Sequence, residues 1–125
     1  MIMEDYVSYE TAKLLKEKGF DEPCHALYHN GEDKIFFGLD VDSYHNTALN
    51  ENCYACPTLQ MAMKWLREWE QLYIMLGFER PSCIEYKIYK YESEIGRKNL
   101  LYYNYEDSYE QACEAAIKYC LENLI

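Results

Sequence analysis

Pro57-Thr58-Leu59-Gln60-Met61-Ala62-Met63-Lys64-Trp65-Leu66-Arg67-Glu68 decides the fold of this chain, and Asp107-Ser108-Tyr109-Glu110-Gln111-Ala112-Cys113-Glu114-Ala115-Ala116-Ile117-Lys118-Tyr119 is built like it. Each opens with a hydroxyl residue fit to accept from the unpaired N–H groups of a helix start. Each continues with apolar residues three and four apart, the spacing of one helix face. The first marks a face through Leu59, Ala62, Trp65 or Leu66, Trp69 and Leu72 or Tyr73, over about four turns. In the second, Ser108 with Gln111 makes a capping box, and the helix can run to about Asn123. Each follows a strand-like stretch, so the chain reads as two strand-strand-helix units behind an N-terminal helix. That helix starts at a Ser8 cap, carries Ala12, Leu14 and Leu15, and stops at Gly19, with Phe20 folding back on it.

Between the helices the pattern turns to period two. Ala26-Leu27-Tyr28 and Lys34 to Val41 look extended, with Ile35, Phe37, Leu39 and Val41 on one face. The Asn30-Gly31 pair between them favours a hairpin reversal. The polar stretch from Asp42 to Pro57 reads as a long loop, with Cys53-Tyr54-Ala55-Cys56 able to form a short strand at its end. Tyr73-Ile74-Met75-Leu76-Gly77-Phe78 fits a last helical turn or a strand, and the strand is preferred because Gly77 and Pro81 oppose helix. Ile84, Tyr86 and Ile88 alternate with Glu85, Lys87 and Tyr89, and Leu101, Tyr103 and Tyr105 alternate with Tyr102 and Asn104. These are two half-buried strands around residues Ser93 to Asn99. The expected architecture is one α+β domain over residues 1–125, in the order α-ββ-α-(β)ββ-α. It has a single antiparallel sheet of four or five strands and three helices mainly on one face.

The three helical segments carry a resemblance. Val7-Ser8-Tyr9-Glu10-Thr11-Ala12-Lys13-Leu14-Leu15-Lys16-Glu17-Lys18-Gly19-Phe20, the Pro57 to Glu68 segment and the ending Ala115 to Ile125 resemble a group of short, functionally unassigned proteins. Those proteins come from gut Bacteroidales bacteria and their phages or mobile elements. About a third of the chain is covered, all of it scaffold. The resemblance implies a bacterial or phage cytoplasmic setting and carries no activity, cofactor or catalytic residue.

Composition narrows the function classes. The 125 residues hold 12 Lys and Arg against 22 Asp and Glu, a net charge of −10. That opposes direct nucleic-acid binding, which draws its affinity from neutralised phosphates, and favours basic partners. The start Met1-Ile2-Met3-Glu4-Asp5-Tyr6 lacks a basic, apolar leader, and no apolar run approaches the roughly 18 residues of a membrane span, so a cytoplasmic protein off the membrane is expected. In that setting the six cysteines are expected as thiols.

Catalytic motifs are few. Cys53-Tyr54-Ala55-Cys56 has the Cys-x-x-Cys spacing of thiol exchange, placed before a helix that would stabilise a thiolate. Yet it follows a polar loop and lacks a surrounding βαβ pattern. Cys24 with His25 or His29 could join Cys53 and Cys56 in a tetrahedral zinc site, although adjacent Cys24 and His25 on a strand would face opposite ways. Asp40-Val41-Asp42 fails as a calcium loop because Tyr44 stands where an oxygen ligand belongs. No phosphate loop, nucleophile elbow or paired metalloprotease histidines occur, so no cofactor is expected.

The 14 tyrosines are the remaining oddity. Tyr86, Tyr89, Tyr91, Tyr102, Tyr103 and Tyr105 crowd the late strands, and alternation sends some of them to each face. Strand propensity with edge packing is one explanation. A protein-contact surface is the other, and makes the chain a small non-enzymatic binding or adaptor domain, as a homodimer or with another protein. Tyr89, Tyr91 and Tyr102 are its expected contact anchors. The alternatives are thiol-redox or zinc chemistry at Cys53 and Cys56, and an acidic inhibitor mimicking nucleic-acid charge.

Overall fold

A computed structural model describes residues 2–38 and 44–125, and the chain divides into two compact units, Met1–Thr58 and Leu59–Ile125. In the first, helix α1 spans Tyr9–Glu17, with the Ser8 side chain accepting from the Thr11 N–H as its cap. Gly19 ends it at φ +93°, in the left-handed region glycine enters without strain. Its N–H reaches the Lys16 carbonyl at 3.2 Å and the Phe20 N–H reaches the Leu15 carbonyl at 2.9 Å, the paired bonds of a Schellman ending. Phe20 and Leu15 are both fully buried, as the reading of Phe20 folding back requires.

Strands β1 (Ala26–His29), β2 (Phe36–Phe37) and β3 (Cys53–Ala55) form an antiparallel sheet in the order β2-β1-β3. The expected reversal is present: Gly31 has φ +81° and the Glu32 N–H bonds the His29 carbonyl at 3.0 Å. A short 3-10 turn at Asn46–Ala48 places buried Asn46 as a bridge. Its amide donates to the Phe20 carbonyl at 2.7 Å and its carbonyl accepts from the Ala55 N–H at 2.9 Å. The expected strand residues Leu39 and Val41, the Asp40-Val41-Asp42 triplet and the start of the Asp42 loop lie outside the described residues.

The second unit opens with α2 (Leu59–Glu70), whose Leu59, Ala62, Met63, Trp65 and Leu66 are buried. Its face stops short of the expected four turns. Gln71, at φ +55°, turns the chain out of the helix, and Trp69 remains 63% exposed. Lys90 donates to the Glu70 carbonyl at 2.8 Å, placing a cation on the helix C-terminus where the dipole favours it. Strands β4 (Leu72–Arg80), β5 (Cys83–Glu92) and β6 (Arg97–Glu106) follow as an antiparallel meander in the order β4-β5-β6. Helix α3 (Tyr109–Tyr119) starts at Ser108, which accepts from the Gln111 N–H at 3.1 Å. It runs on as a π-turn over Cys120–Leu124, close to the expected end.

The α+β class with three helices stands, but the single four- or five-stranded sheet does not: there are two three-stranded sheets. The order is α-βββ-α-βββ-α, not α-ββ-α-(β)ββ-α. Alternation identifies strands but not their neighbours. Leu72–Arg80 and Cys83–Glu92 are separated by two residues and pair at once, as sequential strands usually do, while Cys53–Ala55 returns to β1. The two units are not copies, since the central strand is the first of its sheet in one and the second in the other. No helix among the described residues is long and apolar enough to cross a membrane.

Candidate functional site

The β4-β5-β6 sheet has one helix-covered face and one open face. Ile84, Tyr86 and Ile88 of β5 are buried, and Tyr102 of β6 lies flat on Tyr119 of α3, ring centroids 3.7 Å apart and planes within 10°. These residues define the covered face. Residues one step away in the pleat point to the other side. On β5 these are Glu85, Lys87, Tyr89 and Tyr91, and the register sets Tyr73 and Met75 of β4 and Lys98, Leu100, Tyr103 and Tyr105 of β6 beside them.

This open face is apolar far beyond what a solvated sheet requires. Met75 is 57% exposed, Tyr103 56%, Leu100 48% and Tyr105 44%, and Tyr73 and Tyr91 are also exposed. Two local features shape it. The register between β5 and β6 shifts after Ile88, so that Leu101 is an extra residue and both Leu100 and Leu101 reach solvent. Tyr73 and Tyr91 meet edge to face at 6.4 Å, and the Lys98 ammonium lies 4.9 Å over the Tyr89 ring. Tyr73, Met75, Tyr89, Tyr91 and Lys98 thereby line an open hollow of about 310 Å³. Charges on the face are of both signs: Lys87 pairs with Glu85 at 3.6 Å, and a hydrogen bond to the Glu85 carboxylate, with its charge, raises the Tyr105 hydroxyl pKa.

A second hollow, of about 410 Å³, lies between the β4–β5 turn and the start of α3, bordered by Phe78, Pro81, Ile84 and Tyr109 among others. Phe78 is 73% exposed there. Tyr109 is tied to α2 through the Gln60 amide at 3.3 Å.

Of the three expected anchors, Tyr91 is exposed and Tyr89 half-exposed on the open face, both lining the hollow. Tyr102 belongs to the opposite face, held between Tyr86 and Tyr119. Its place on the open side is taken by Tyr103. Tyr73 and Met75 were not singled out from the sequence, although their alternation with Leu72, Ile74 and Leu76 is the signal that places them.

The cysteine and histidine candidates do not converge on one metal site. Cys53 and His29 are direct partners across β1 and β3, with Cys53 Sγ 3.4 Å from His29 Nδ1. Lys16 donates to the Cys53 carbonyl at 2.8 Å. Cys56 is fully buried with its thiol near the Val7 carbonyl, and the Cys24 thiol bonds the Glu22 carbonyl at 3.4 Å. Burial pushes the Cys24 pKa up to about 12, with the Glu22 charge adding to it, so this group stays a thiol. His25 is exposed. Among the described residues no group of three or more His, Cys, Asp or Glu side chains is arranged to hold a metal ion, and no disulfide joins any of the six cysteines. No protein-family model, curated protein or solved structure matches the chain.

Proposed function

We propose that this chain is a small non-enzymatic binding module whose working surface is the open face of β4-β5-β6. The observation that carries the reading is the contiguous exposure of Tyr73, Met75, Tyr91, Leu100, Tyr103 and Tyr105 on one side of a sheet whose other side is already covered. Contiguous apolar surface of this kind marks interaction sites more often than it marks idle surface. Tyrosine suits the role, since its ring adds contact area at low rotamer cost and its hydroxyl remains wet. The partner class that fits is protein. A phosphate backbone would meet a chain of net charge −10, and a charge-mimicking inhibitor would present one sign, whereas this face mixes Lys87 and Lys98 with Glu85.

The test is capture of cross-linked partners by the chain beside a Tyr73→Ser/Met75→Ser/Tyr91→Ser variant of unchanged circular dichroism. Loss of the captured species with the variant supports the reading. Equal capture by both moves the working surface elsewhere.

A second reading draws on the Cys53–His29 contact, which sets a thiol 3.4 Å from an imidazole nitrogen, the pairing of a nucleophile with a base. It predicts that Cys53 is alkylated several-fold more slowly at neutral pH in His29→Ala. An unchanged rate removes it.

A further inference from the structure

The ten residues of β6 form an edge of their sheet, and among the described residues their backbone pairs with β5 alone. Long open edges are templates for another strand, and natural proteins cover or blunt them. This edge is self-complementary. An antiparallel copy laid along it, with the two-fold axis between Leu101 and Tyr102, sets Arg97 opposite Glu106, Lys98 opposite Tyr105 and Leu100 opposite Tyr103, each pair occurring twice.

Three features agree with that register, and one opposes it, the Asn104 side chain that occupies the Tyr105 N–H. Charge is complementary end to end, because the basic pair Arg97-Lys98 opens the strand and the acidic pair Glu106-Asp107 closes it. Pleat agrees as well: Lys98, Leu100, Tyr103 and Tyr105 all belong to the open face, because the extra residue Leu101 sits at the centre and switches the alternation halfway. Without the bulge, Lys98 would face the opposite side from Tyr105. Backbone direction agrees too. The Tyr91 N–H goes to the Gln71 carbonyl on the β4 side, so Tyr91 and its partner Lys98 are a non-hydrogen-bonded pair, and the backbone of Lys98, like that of Tyr105 by alternation across the switch, points to the free edge; the Tyr105 N–H there donates to the Asn104 side-chain oxygen at 2.9 Å. Alternate residues share that direction, which by the same switch includes Tyr103, Leu100 and Lys98. The other edge strand, β4, has no such symmetry, since Glu79 and Arg80 stand together at one end of it.

We infer that the chain pairs with a second copy of itself through β6, joining two three-stranded sheets into one six-stranded sheet with a continuous aromatic face. This deepens the proposed function and rests on reading the face as a contact surface: the first partner it names is the chain itself.

The experiment is sedimentation equilibrium on the full chain, with Arg97→Glu and Glu106→Arg as separate variants and as an equimolar mixture. The wild type is expected to dimerise. Each reversal turns two attractive end pairs repulsive and weakens self-association by roughly tenfold, at the usual scale of exposed ion pairs. The mixture restores a dimer, now a heterodimer by native mass spectrometry, because each glutamate meets an arginine. Asn104→Ala, which frees the Tyr105 N–H, tightens the wild-type dimer. A monomeric wild type, or a dimer that neither reversal weakens and mixing does not re-form, overturns the inference. If that monomer still captures a partner in a way that Tyr73→Ser/Met75→Ser/Tyr91→Ser abolishes, self-pairing fails while the contact face stands.

Discussion

Tyr102 of β6 stacks on Tyr119 of α3 at 3.7 Å, whereas Tyr103, the next residue, projects from the other side of the same strand and is 56% exposed. One step along the chain separates a side chain that holds the fold from one free to bind. Tyr102→Ala is therefore expected to cost about 2 kcal/mol in urea unfolding, from lost ring stacking and burial between strand and helix. Tyr103→Ala should stay within about 0.5 kcal/mol and lower self-association instead.

Asn46 is buried and bridges the Phe20 carbonyl to the Ala55 N–H. Replacing it with alanine removes both of these buried hydrogen bonds. The expected loss is about 2–4 kcal/mol by denaturant unfolding. A change below 0.5 kcal/mol, on the order of a surface substitution, would show that water replaces the amide at no cost.

Gln71 carries φ +55° between α2 and β4, a conformation that costs a non-glycine residue roughly 1 kcal/mol. Its carbonyl accepts from the Tyr91 N–H at 3.1 Å, which holds the turn in place. Gln71→Gly should raise stability by up to about 1 kcal/mol, read as a higher urea midpoint at unchanged m-value. Gln71→Val should lower it.

Burial holds Cys24 and Cys120 as neutral thiols, each pushed from 9.0 up to about 12, and Tyr86 from 10.0 up to about 12. Above pH 9 the unfolded chain releases these protons first while the folded chain keeps them, so the unfolded state binds fewer protons and stability falls with rising pH. The contribution is complete below about pH 9 and declines between 9 and 12. Thermal unfolding at stepped pH from 8 to 11 checks this. At pH 8 the folded chain should react with iodoacetamide first at Cys83, the one cysteine that is not buried.

The start and end of α1 and the start of α3 were legible because their signals are local, whereas the end of α2 was not, since Gln71 gives no sign of its positive φ. Ser8 and Ser108 cap as expected, Gly19 takes the left-handed position and Phe20 folds back. The late strands Cys83–Glu92 and Arg97–Glu106 were legible from alternation, and a strand over Tyr73 to Phe78 from Gly77 and Pro81, which oppose helix. Which strands pair was not, since period two is indifferent to the neighbour, and the single sheet gave way to two. Tyr102, expected as an anchor beside Tyr89 and Tyr91, lies on the covered face for a related reason. The extra residue at Leu101 is visible only as a register shift between two strands. Asn46 carried no signal, as one asparagine in a polar loop is like any other. That Cys53 meets His29 while Cys24, Cys56 and His25 complete no ligand set with them likewise depends on strand pairing and loop paths that spacing does not encode.

The central claim is that the open sheet face makes the contacts. A photo-crosslinking amino acid placed at Tyr91 on that face, with Lys13 on the exposed side of α1 as the control position, tests it in the cells that express the chain. The account predicts discrete cross-linked species from position 91, including the chain cross-linked to itself, and none from position 13. Cross-links from position 13 with none from position 91 would contradict it.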